Sequence, residues 1–157
     1  MTKIIELQSP ECEKLAERIY TLAMRFFLSH PEFKMRRGYL YQTVKNEDVV
    51  DHCCCGAGAA WLQADEDKEE SERIGSKLIL GSSGLSSCYR ADIFDEGSWA
   101  RLDDHFYNAF DARILEVTEN FACGSRTDRF TDSPMKRAAI RLVDDLVALG
   151  VQISHSY

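Results

Sequence analysis

The chain has 157 residues, 45% of them apolar, and its nineteen Lys and Arg against twenty-six Asp and Glu leave a formal charge of -7. That length suits one domain, spanning residues 1–157, that buries a core without metal or disulfide staples. The acidic balance disfavours bulk binding to nucleic acid or to an anionic membrane, and no apolar run approaches the roughly eighteen residues a membrane-crossing helix needs.

Ser9-Pro10 opens the first expected helix, the serine capping free amides and the proline sitting where a missing N–H costs nothing. Cys12, Leu15, Ala16, Ile19, Leu22, Ala23, Phe26 and Phe27 then recur at three- and four-residue spacing, which predicts a helix over 10–29. His30-Pro31 ends it, because the residue before proline is pushed out of helical geometry. Tyr39 to Val44 is aromatic and β-branched, the composition of a short strand or an extended connection.

Asn46 reads as an N-cap, and Val49, Cys53, Gly56, Ala57, Ala60, Trp61 and Ala64 follow at helical spacing. A helix over 47–64 is expected, apolar on most sides and therefore central. Its two glycines each cost about 1 kcal/mol relative to alanine, which implies a close neighbour and leaves open a break at Gly56 or Gly58. Lys77 to Leu80 is a short apolar run, and Gly81 to Ser87 has the composition of a loop. Ser98 caps a third helix over 98–122, with Trp99, Leu102, Phe106, Ala109, Phe110, Arg113, Ile114, Val117 and Phe121 on its buried side and Cys123-Gly124 at its end. Ser133-Pro134 repeats the opening device, and Met135, Ala138, Ala139, Leu142, Val143, Leu146 and Leu149 mark a fourth helix over 134–149 stopped by Gly150. Val151-Gln152-Ile153 alternates like a short terminal strand. The expected class is all-α or nearly so, an irregular bundle of about four helices around a small-residue central one, with room for one short β element.

Charge is uneven along the chain. Residues 1–46 hold eight basic and five acidic groups, whereas residues 47–75 hold two basic and nine acidic ones. Asp65, Glu66, Asp67, Glu69, Glu70 and Glu72 lie within eight positions, with Asp103 and Asp104 as a second patch. Such a block presents a field resembling that of a nucleic-acid backbone and steers fast, salt-dependent docking onto a basic surface.

Six cysteines occur without a signal-peptide-like start or a Cys-x-x-Cys pair, so free thiols in a reducing cytoplasm are expected. On a helix, Cys53, Cys54 and Cys55 point about 100° apart and cannot close on one ion, so no metal and no cofactor is expected. Gly56-Ala57-Gly58 begins like a dinucleotide fingerprint, but Trp61 stands where that motif needs glycine or alanine, and no βαβ pattern surrounds it. No Gly-x-Ser-x-Gly elbow or phosphate-binding loop is present.

These residues point first to a non-catalytic inhibitor or adaptor in which the eight acids named above contact a basic protein partner, including a nucleic-acid-handling complex. In size and charge the chain is similar to small phage-encoded anti-restriction and anti-CRISPR inhibitors, a similarity of class that no motif narrows. The alternative is a small thiol-dependent enzyme or ligand-binding protein with a pocket near Cys53–Gly58 and His105.

Overall fold

A computed structural model describes residues 5–38, 42–46, 49–72, 102–119 and 126–154, with the side chains of 42–46, 49–51 and 103 left aside. Helix α1 spans Pro10–Ser29; Ser9 Oγ accepts from the Cys12 amide at 3.2 Å and Pro10 occupies the first turn. Its expected stripe is the face that is buried, from Cys12 through Phe27. The His30 N–H donates to the Phe26 carbonyl at 2.9 Å and closes the helix.

A three-stranded sheet follows: β1 (Phe33–Met35), β2 (Gln42–Asn46) and β3 (Val49–Cys54), in the order β1-β3-β2. β3 runs parallel to β1, with Met35 opposite Cys54, and antiparallel to β2, with Asn46 opposite Val49. Ile153 bridges to Met35 in parallel, so the expected terminal strand is realised as one rung: Met35 N–H donates to Gln152 O at 2.8 Å and Ser154 N–H to Met35 O at 2.7 Å.

The central segment departs from the expected helix over 47–64. Val49–Cys54 is the middle strand, helix α2 begins only at Gly56 and runs to Glu66, and Asn46 ends β2 instead of capping a helix. Val49 and Cys53, like Val50 and Cys54, stand four residues apart on either side of Asp51 and His52, so over six residues the pattern fits one turn of a buried helix as well as a strand. Cys53 and Cys54 both have 0% exposure although alternation sends them to opposite faces. The break falls at the glycines, as the sequence left open: Cys55 is the N-cap of α2, its Sγ accepting from the Gly58 amide at 3.4 Å.

Helix α3 spans Leu102–Glu119, a 3-10 turn covers Arg126–Arg129, and helix α4 spans Pro134–Ala148. The expected cap Ser98, the stripe ends Trp99 and Phe121 and the stop Cys123-Gly124 lie outside the described residues, as do the runs at 77–80 and 81–87. Ser133 Oγ accepts from the Lys136 amide at 3.1 Å, matching the device at Ser9. Gly150, at φ +89°, ends α4 in a Schellman motif: its N–H donates to Val147 O and that of Val151 to Leu146 O, both at 3.0 Å.

α1 and α4 run parallel, their partners advancing in step. Gln8 Nε2 donates to Asp132 O, Arg141 Nη1 stands 3.3 Å from Glu17 Oε2, and the Tyr20 hydroxyl donates to Asp145. Arg141 also lies over the Tyr20 ring, 3.9 Å from its centroid. The four helices and the sheet share one apolar core in which Trp61, Phe106, Phe110, Leu142 and Leu146 are each 0% exposed. The architecture is nearly all-α, with one small three-stranded sheet.

Candidate functional site

The acidic block begins inside α2 and runs past its end, so helical geometry sorts its members. Asp65 lies three and four residues after Leu62 and Trp61, on the inward face, and is 4% exposed, with Lys68 Nζ 4.0 Å away. Glu66 Oε1 stands 2.7 Å from His30 Nε2, while Nδ1 of the same ring stands 3.4 Å from Glu32. The Glu66 contact lies off the ring N–H direction, so it is a close approach and not an aligned hydrogen bond. Asp67 takes a two-pronged contact from Arg25, Nη1 to Oδ2 at 3.0 Å and Nη2 to Oδ1 at 3.1 Å, and Gln63 Nε2 donates to it at 3.0 Å.

Three of the six expected contact residues are thus turned inward or engaged within the chain. The other three, Glu69, Glu70 and Glu72, are exposed at the 3-10 turn Glu70–Glu72, and no ion pair reaches them among the described residues. Asp104 is exposed on α3, while the Asp103 side chain lies outside the described set. Arg25 and His30, which engage the acids, went unassigned in the sequence. The one available signal was their place in the last turn of α1 and just beyond it, within the basic first third of the chain.

The cysteines are interior residues. Cys12, Cys53, Cys54 and Cys55 are buried and, among the described residues, form no disulfide. Burial pushes the Cys12 thiol up to about 11, with Glu13 adding to the shift. Burial likewise pushes Cys55 up to about 12, against the Gly58 N–H and with help from Asp111, and it raises Cys54 well above the usual thiol range. The separation of the three side chains comes from strand alternation and a helix cap, a correction to the helical argument made from sequence. Among the described residues no group of three His, Cys, Asp or Glu is placed to hold a metal ion.

A strand-to-helix turn does carry Gly56-Ala57-Gly58, but protein fills it. A Cβ on Gly56 would lie 2.7 Å from Leu142 Cδ2 and 3.0 Å from the Phe110 ring, and the Gly58 amide is taken by Cys55. His105 is exposed on α3 while Cys53 to Gly58 are buried, so these residues do not line an open pocket together. Two grooves elsewhere are open: one of about 510 Å³ between the first turns of α1 and α4, with Lys14, Arg137 and Arg141 on its rim, and one of about 330 Å³ beside Leu28 and Leu149.

One titratable group was not singled out in the sequence. Asp111, half-buried on α3, accepts the Gly38 amide at 3.2 Å. Burial pushes its carboxyl up to about 6 against the opposing pull of that amide and of Arg37. Compared with known proteins, the chain matches no family model, no curated protein and no solved structure.

Proposed function

We propose that the protein is a non-catalytic acidic inhibitor or adaptor that docks onto a basic surface of a protein partner, in the class of partners that handle nucleic acid. The carrying observation is the outward set Glu69, Glu70 and Glu72, exposed and without an ion pair among the described residues, with Asp104 as a further exposed acid. Exposed carboxylates with no ion pair among the described residues steer association and set its salt dependence, and the Glu72 N–H, donating to Glu69 O at 2.8 Å, closes the turn that carries them. Against a thiol enzyme stands the burial of Cys12, Cys53, Cys54 and Cys55, which raises the Cys12, Cys54 and Cys55 thiols away from the reactive thiolate. Cys88 and Cys123 lie outside the described residues.

Reversing Glu69, Glu70 and Glu72 to lysine is the test. Capture of partner from the native host at low salt falls at least tenfold while the helical circular dichroism is unchanged, and raising salt removes the wild-type capture. Undiminished capture by the folded triple variant ends the proposal.

A further inference from the structure

The turn after β1 is held at two points of different chemistry. Arg36, 3% exposed, donates its amide to the Cys54 carbonyl at 2.9 Å, a backbone tie without a titrating partner. Two residues on, Gly38 sits at φ +85°, a left-handed conformation that L side chains rarely adopt, and its amide reaches across to Asp111 Oδ1 on α3 at 3.2 Å. Tyr107 lies one helical turn before Asp111, and its hydroxyl would stand 3.8 Å from a Cβ built on Gly38, so the same face of α3 lies beside the turn. Among the described residues, the charged and titratable groups that act on Asp111 or feel it are Arg37 on the turn and the Cys55 thiol at the start of α2.

We propose that Asp111 is a proton-operated anchor: ionised, it holds the Gly38 amide and the Arg37 charge against α3, and protonated, it releases that end of the turn while Arg36 keeps the other end on β3. A carboxylate accepts a charge-assisted hydrogen bond that the neutral acid accepts only weakly, so the tie follows the proton. Burial brings the changeover toward neutrality, to about 6. The consequence has two opposite signs. Acidification relieves a half-buried charge and favours the folded chain as a whole, while it loosens one turn.

The test is a pH titration of the full chain by NMR, following the Gly38 amide proton and the Asp111 carboxyl carbon from about pH 7.5 to about pH 4.5. Both move with one midpoint near 6, the amide shifting upfield as its bond weakens. Arg37→Gln raises that midpoint by removing the cation that favours the carboxylate, and Asp111→Asn leaves the Gly38 amide flat across the range. A flat Gly38 amide in the wild type, or an Asp111 carbon titrating near 4, overturns the proposal. If Asp111→Asn fails to fold, the wild-type and Arg37→Gln titrations decide it.

Discussion

Gly56→Ala places one methyl group at the most crowded point of the core. Its Cβ would stand 2.7 Å from Leu142 Cδ2 and 3.0 Å from both Cδ2 and Cε2 of Phe110. Real carbon contacts sit near 3.5–4.0 Å, so neighbours must retreat by roughly 0.5–1 Å. Neither has room to do so: both are 0% exposed, and the Phe110 ring is stacked on Phe106 with centroids 6.3 Å apart. Forcing one methylene's worth of volume into such a core costs about 1–3 kcal/mol. Against that, replacing glycine with alanine gains about 0.4–1 kcal/mol through the unfolded chain. The net is a loss of about 1–2 kcal/mol, or a fall in Tm of roughly 2–8 °C for a chain of this length. Urea unfolding followed at the helical circular dichroism band measures it, with a lowered midpoint and an unchanged slope. Trimming the obstructing side chain in the double variant Gly56→Ala/Leu142→Val gives less loss than the two single costs combined, because the two sites share one space. A Gly56→Ala protein as stable as the wild type would refute the packing of α2 against α3 and α4 described above.

Asp111→Asn tests the linkage between protonation and stability. The folded chain holds this proton more tightly than the unfolded one, so the stability it contributes is fully present below about 4 and lost as pH rises through about 6. Two units correspond to about 3 kcal/mol, which partial solvent exposure reduces to about 1–2 kcal/mol. Asp111→Asn therefore gains about 1 kcal/mol at pH 7 and nothing below pH 4 in urea unfolding at the two pH values. Ser133→Ala costs about 1–2 kcal/mol, since the buried hydroxyl caps α4, whereas Asp67→Ala costs less than about 1 kcal/mol because its pair with Arg25 is solvent-exposed. Cys12, Cys53, Cys54 and Cys55 stay unmodified by a thiol-specific reagent at neutral pH until the chain is denatured, as peptide mapping by mass spectrometry reports.

Features that depend on neighbours along the chain were legible in the residues alone. Ser9-Pro10 and Ser133-Pro134 open α1 and α4, the apolar stripes from Cys12 to Phe27 and from Met135 to Leu146 face the core, and Gly150 stops α4, but Leu149, expected in the second stripe, is the C-cap and 58% exposed. Caps, a 3.6-residue period and a left-handed stop are local devices, so the sequence by itself determined these helices and the nearly all-α class. What it left undecided needed partners elsewhere in the chain. Val49–Cys54 is a strand because β1 and β2 pair with it on both edges, although its apolar residues, Val49 with Cys53 and Val50 with Cys54, stand four apart as on a helix. Asp67 is engaged by Arg25, forty-two positions earlier, and Asp111 by the Gly38 amide, seventy-three positions earlier. A carboxylate looks the same in a sequence whether it faces water or an arginine; only folding chooses its neighbour, and with it the charge left on the surface.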